Sequence, residues 1–378
     1  MKLISLEKDP NIQIDNKLYT FIDPDFIYIP INNQQILVEQ NAFVYKGQKV
    51  LKNSSLLSSI SGKAYGLQKC LVDHHQEKCI VIENDFREKV KNGSKMRKNI
   101  TIGVILESLE AHNSHLLPLF KNLVTCENIV VRCFDDEPYV MNDIMALKEN
   151  IDAILECMDA LSLLYKSKKV TLVVKNTESE IIEECLNVIG TYPNINLSII
   201  TAEYLLGRKE YLLPKLNLEP SKTLYLTVME IIELIKIVKY NKKESTKYIT
   251  LSGDAIKLGK VIKVKKYTKL QDIIKKYVQF ITKDYMIIIN NLLWSHPVNE
   301  ELIITDKISS IHFMKRQVFQ EEKCTLCGLC EKICPVGVDP VECLRRKKKN
   351  QKCISCGLCS YICPSYINLS TYVSGEEK

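Results

Sequence analysis

Eight of the fifteen cysteines fall into two quartets near the carboxyl end: Cys324, Cys327, Cys330 and Cys334, then Cys353, Cys356, Cys359 and Cys363. Each quartet reads C-x-x-C-x-x-C-x-x-x-C-P and is closed by Pro335 or Pro364. In a thiolate run of this spacing, three neighbouring sulfurs hold one iron–sulfur cube and the fourth reaches across to the other. The expected ligand sets are therefore Cys324, Cys327, Cys330 and Cys363 for one [4Fe–4S] centre, and Cys353, Cys356, Cys359 and Cys334 for its twin. The prolines turn the chain away after the fourth cysteine. Gly328 and Gly357 are expected to let the backbone approach the sulfides. Zinc also takes four thiolates, but its sites are usually built from two separated C-x-x-C pairs, so the duplicated three-plus-one run favours iron and sulfur. Such centres pass single electrons.

The other candidate groups read as structural. Cys70, His74, His75 and Cys79 form C-x-x-x-H-H-x-x-x-C, a spacing that matches none of the usual zinc ligand pairs, and both cysteines fall in strand-like runs. Cys343 lies between the quartets and is needed by neither. Cys126, Cys133, Cys157 and Cys185 stand in apolar segments, where cysteine behaves as a small hydrophobe. The net charge is +7, with its densest run at Arg345, Arg346, Lys347, Lys348 and Lys349. No stacking aromatics interleave that run, which excludes nucleic acid as a partner. Its place between the quartets suits either a solvated turn or a docking patch for an acidic electron carrier.

The elements that must position the quartets occupy the rest of a 378-residue chain, too long for a single core, and two to four domains are expected. Scattered cysteines outside the quartets imply a reducing compartment. The amino-terminal segment lacks a signal-peptide core, and no stretch approaches the apolar length of a membrane helix, so the expected location is cytoplasmic, with attachment to a membrane complex through other subunits possible. Residues 1–90 read as short strands punctuated by Gly47, Gly62 and Gly66. VYKGQKVL and SSISGKAYGL look like the hairpins of lipoyl- and biotinyl-type barrel-sandwich domains, although Lys63 is a poor match for their carrier lysine. A charged stretch from Arg87 to Lys98 reads as a linker. Residues 91–217 alternate strand-like runs (ITIGVIL, NIVVRCF, KVTLVVK, LSIITA) with helical ones, which implies a parallel sheet of Rossmann-like kind that binds ligands beyond the carboxyl ends of its strands. In the longest helix Ile144, Leu147, Ile151, Ile154, Leu155, Met158 and Leu161 form the apolar stripe. Residues 218–312 read as a β-grasp-like module, and 313–378 as the cluster domain.

This order of parts resembles the RnfC family, the peripheral cytoplasmic subunit of ion-translocating ferredoxin:NAD oxidoreductases. The resemblance is carried by VYKGQKVL and SSISGK, by DDEPYVMNDIMAL, by TLYLTVMEI and YITLSGDAIKLGKVIKV, and by CTLCGLCEKICPVGVDP with CISCGLCSYICPSYINL. It implies a multidomain α/β and α+β fold: a barrel-sandwich domain, an α/β domain like the complex I flavoprotein domain, an SLBB (soluble-ligand-binding β-grasp) module and a bacterial-type dicluster ferredoxin domain. Members that bind FMN and NADH carry G-x-G-G-A-G-F-P after the first strand of the α/β domain. Here that place reads IGVILESLEAHNSHLLPLF, whose Glu107 and Glu110 repel phosphate. Asn-Gly-Ala-Glu-Cys-Glu-Pro-Tyr has become Arg132 to Tyr139, keeping only Glu137, Pro138 and Tyr139 of its second half, and Glu137-Pro138 reads as a helix entrance. NNLLWSHPV replaces a Gly-Gly-Pro-Met-Met-Gly run. These departures put FMN and NADH in doubt. The expected function is electron relay between a donor and an acceptor subunit or carrier, the alternative being an NADH-oxidising flavin and iron–sulfur dehydrogenase subunit.

Overall fold

The computed structural model describes residues 6, 9–91, 96–123, 125–293, 297–316 and 320–374. Three sheets account for most of it. One is four-stranded and antiparallel, with the order Phe26–Pro30, His75–Asn84, Gly62–Val72, Phe43–Val44. Its core is aliphatic and holds Ile27, Ile29, Val50, Leu51, Ile60, Ile80 and Ile82. Lys63 lies within a strand of this sheet, opposite Phe43 and Glu83, and not on a turn. Cys70 and Cys79 are buried in the two long strands, and Cys79 Sγ donates to the Glu77 carbonyl at 3.9 Å.

The second sheet is four-stranded and wholly parallel: Ile195–Ile200, Lys169–Lys175, Asn128–Arg132, Thr223–Thr227. Continuous apolar runs such as Ile129, Val130 and Val131 suit strands covered on both faces, and all three are fully buried. The helix Asn142–Tyr165 lays Ile144, Leu147, Ile154, Leu155, Met158 and Leu161 into this core, while Glu149, Asp152 and Glu156 stay exposed. Ile151 is half-buried beside a break in the helix at Asn150. Thr227 closes a capping box with Glu230 at the start of Val228–Tyr240, so strand passes directly into helix.

ITIGVIL, expected as a strand, is instead the start of the helix Ile102–Ala111. Thr101 accepts a hydrogen bond from the Val104 amide, 3.3 Å away, and Ile105 and Leu109 reach the core. Their separation of four residues is a helical period, which outweighs the strand propensity of the isoleucines. The parallel sheet therefore begins at Asn128.

The third sheet has six strands in the order Ile14–Phe21, Gly259–Lys265, Thr246–Ser252, Ser310–Lys315, Tyr285–Ile289, Pro297–Val298. Its first strand belongs to the stretch 1–90 read as one β module, yet it pairs in parallel with Gly259–Lys265. Gly253 turns the chain between two of these strands at φ +128°, where a Cβ would lie 2.0 Å from the Phe313 carbonyl oxygen. Of the expected linker from Arg87 to Lys98, residues 92–95 lie outside the described part. Arg97 beyond them is anchored, its amide donating to the Lys239 carbonyl at 2.9 Å.

Candidate metal centres

The two cysteine loops repeat each other in conformation. Leu326 and Gly328 in the first, and Ser355 and Gly357 in the second, all have positive φ. The glycines are used for that left-handed turn, since no protein atom lies within 4 Å of a Cβ built at Gly328. Each turn leads into a short helix, Leu329–Ile333 or Leu358–Tyr361. Every loop thus wraps its sulfurs around a hollow.

The hollows mix the two motifs. One is ringed by Cys324, Cys327, Cys330 and Cys363, with Val341, Ile367 and Leu369 behind them. The other is ringed by Cys334, Cys353, Cys356 and Cys359, with Val336, Val338, Leu358 and Val373. Among the described residues, no charged side chain lines either one. Main-chain donors face sulfur: the Val338 amide lies 3.2 Å from Cys334 Sγ, and the Ser355 amide 3.5 Å from Cys353 Sγ. Burial raises the thiols of Cys330 and Cys356 and pushes Cys359 up to about 12. Four clustered sulfurs with amide donors fit an iron–sulfur cube, whose positive iron supplies the charge that expels the thiol protons. Among the described residues, no three His, Cys, Asp or Glu side chains converge on a point that would hold a single ion.

Cys343 is buried between Val338 and Val373, beside Cys334 and Cys353. Cys126, Cys133 and Cys185 are buried in the apolar core, and Cys157 is half-buried against it. The run Arg345 to Lys349 is exposed. It begins in the last turn of the helix Pro340–Arg346, whose Val341 and Leu344 pack beside Cys324 and Cys363.

At the carboxyl ends of the parallel strands, where a nucleotide would be expected, stands a charged knot that spacing did not reveal. Arg132 reaches Asp136 at 3.5 Å and Asp143 at 3.3 Å. The Gly207 amide donates to Asp136 at 2.7 Å, and Lys175 Nζ donates to the Asp135 carbonyl at 2.7 Å. Glu137 and Pro138 lie in the turn before the helix Asn142–Tyr165. These mutually paired side chains, with a helix in place of a glycine loop, do not form a phosphate cradle. Trp294, Ser295 and His296 of NNLLWSHPV lie outside the described residues.

The second loop is joined to the α/β sheet. Tyr204 Oη donates to the Cys356 carbonyl at 2.8 Å, and Arg208 Nη1 donates to that of Ile354 at 3.2 Å. Tyr204 and Leu205 pack against Cys356 and Leu358. Sequence reasoning missed these residues; their only signal is a tyrosine inside an apolar run, which when buried needs a partner for its hydroxyl.

Known proteins match the same stretches of sequence. The family model for a 4Fe-4S binding domain matches residues 318–338, and a second 4Fe-4S binding domain model matches 350–367. The RnfC protein of the ion-translocating oxidoreductase complex of Pectobacterium atrosepticum is 23% identical over 230 residues, 57% of this chain and 33% of that protein. Its counterpart in Pectobacterium carotovorum subsp. carotovorum is 22% identical over 228 residues, 57% and 30%. The chain thus spans about a third of the length of these curated relatives. Among solved structures, NAD+-reducing [NiFe]-hydrogenase in its air-oxidized state aligns with a TM-score of 0.46 at 12% identity, over 59% of this chain and 50% of that one. The H2-reduced state gives 0.43 at 11%, over 68% and 55%. No helix among the described residues is long and apolar enough to cross a membrane. The chain is thus similar at low identity to these RnfC proteins, with a mixed α/β body and two stretches near its carboxyl end that match 4Fe-4S binding domains.

Proposed function

We propose that the protein is an electron-transfer subunit of RnfC type that relays electrons between a donor and an acceptor within an oxidoreductase complex. The observation carrying this reading is the pair of uncharged hollows, each ringed by three cysteines of one motif and the fourth of the other. In this reading Cys324, Cys327, Cys330 and Cys363 hold one cube, and Cys334, Cys353, Cys356 and Cys359 hold the second. When bound, each cube supplies reversible one-electron chemistry. The chain's own part is to fix the sulfurs, exclude water from the buried loop and direct amide hydrogens at Cys334 and Cys353.

The first antiparallel sheet serves as the barrel-sandwich part, the parallel sheet as a Rossmann-like part and the six-stranded sheet as the SLBB-like part, with boundaries near residues 90, 217 and 312. They act as a frame that docks other subunits at the cytoplasmic face of a membrane complex. The knot at Arg132 gives no support to a flavin or NADH step, so none is assigned. Anaerobic reconstitution should yield iron and acid-labile sulfide near eight each per chain, with absorbance that bleaches on adding dithionite. A zinc-filled protein without that absorbance would overturn the reading. Stoichiometric flavin released by acid, with NADH bleaching the clusters, would favour the dehydrogenase instead.

A further inference from the structure

Two loops of nearly identical sequence sit in different surroundings. In the first, Thr325, Leu326 and Cys327 are exposed, Leu326 by 60%. In the second, the corresponding Ile354 and Ser355 are half-buried and Cys356 is buried, and the loop is covered by Tyr204, Leu205, Tyr211 and Leu293. Arg208 Nη1 donates to the Ile354 carbonyl at 3.2 Å. The same peptide unit ends in the Ser355 N–H, which points at Cys353 Sγ from 3.5 Å. A cation on the carbonyl polarises that amide and strengthens its donation to sulfur. Tyr204, fixed by Asn291 at 3.3 Å, donates to the neighbouring Cys356 carbonyl.

We infer that Arg208, assisted by Tyr204, is a positioning residue that raises the reduction potential of the Cys334/Cys353/Cys356/Cys359 cluster alone, so that two like motifs become two unlike electron sites. This rests on the two-cluster reading above. Reduction adds a negative charge to the cube and its thiolates. Hydrogen bonds to the sulfurs favour that charge, and burial opposes it. Arg208 offsets the burial of this cluster, while Thr325, the matching residue of the other loop, is exposed.

The test is a redox titration of the full-length reconstituted protein, followed by electron paramagnetic resonance, for wild type, R208Q, R208K and Y204F. In R208Q one couple should fall by about a tenfold change in its oxidised-to-reduced ratio, 59 mV for a one-electron couple, and the other should stay in place. Y204F should move the same couple by less. R208K keeps the charge but not the planar fork and should recover part of the shift. Two couples that both stay put in R208Q, or that move together, would overturn the inference. So would loss of a cluster in R208Q that R208K restores at an unshifted potential, because the side chain would then only hold the loop. A wild-type protein with fewer than two one-electron couples would overturn the two-cluster reading itself.

Discussion

Cys334 and Cys363 are the informative sulfurs, because each belongs to one motif in sequence and to the other motif's hollow in space. A Cys334→Ala change removes one of four thiolates from a single cube. Iron should fall from about eight to about four per chain, since four thiolates hold each four-iron cluster. Pairing it with Cys356→Ala strikes the same hollow again and should leave about four irons. Pairing it with Cys327→Ala strikes both hollows and should leave almost none. Ligation within each motif would reverse the outcome: the pair Cys334 and Cys327 would then keep about four irons, and the pair Cys334 and Cys356 would lose nearly all. This non-additivity is the signature of residues that act as a unit. Cys343 is buried beside Cys334 and Cys353, so the series is best made with Cys343→Ala to remove a spare thiol. Iron and sulfide analysis after anaerobic reconstitution gives the count, and loss of spin coupling between the reduced clusters identifies the single variants. Four irons retained by the Cys334 and Cys327 pair would refute the crossed assignment.

Replacing Arg345, Arg346, Lys347, Lys348 and Lys349 by Ser should slow reduction by an acidic carrier about tenfold at low ionic strength and hardly at all near 1 M salt; an unchanged low-salt rate, measured by stopped flow, would dispose of a docking role. Arg132→Met leaves Asp136 and Asp143 buried without their cation and should cost about 3–5 kcal/mol, read as faster hydrogen exchange in the strand Asn128–Arg132; a loss under about 1 kcal/mol would show that the knot is not structural. His312 is fully buried, its ring 2.7 Å from Ser252 Oγ and 2.9 Å from Ser310 Oγ, and burial lowers its pKa to about 4. Its folded value lies below the unfolded one, so its contribution is intact above about pH 6.5 and is lost as pH falls towards 4. The sheet around Ser310–Lys315 should weaken by about 1 kcal/mol between pH 6.5 and 5.5, and His312→Asn should flatten that slope in hydrogen exchange; an equal slope in the variant would remove His312 as its source.

The cysteine quartets are legible in sequence because a cluster loop is a local object: spacing sets which three sulfurs of a motif face one hollow, and the fourth reaches the other hollow only once the two loops have packed together. The parallel strands are legible for a similar reason, since Ile129 to Val131 and Val170 to Val174 are apolar runs between turns. Period misled at ITIGVIL, where five β-branched residues suggested a strand while Thr101, Ile105 and Leu109 were set for a capped helix. What could not be read is what depends on distant partners. Arg132 with Asp143, Tyr204 with Cys356, and Arg208 with Ile354 meet only after the sheets and loops have assembled, and no local pattern marks them. The strand Ile14–Phe21 was hidden for the same reason.

That strand ties the beginning of the chain to its later part. Its partner is Gly259–Lys265, and the hydroxyl of Tyr277, 257 positions downstream, donates to the Thr20 carbonyl. During synthesis at about 5–20 residues per second, the first strand waits on the order of ten seconds or more for its mate to leave the ribosome. Until then it is a bare template for the wrong neighbour. Deleting residues 14–21 would leave Gly259–Lys265 as the new border of the sheet and expose the finished protein to the same hazard.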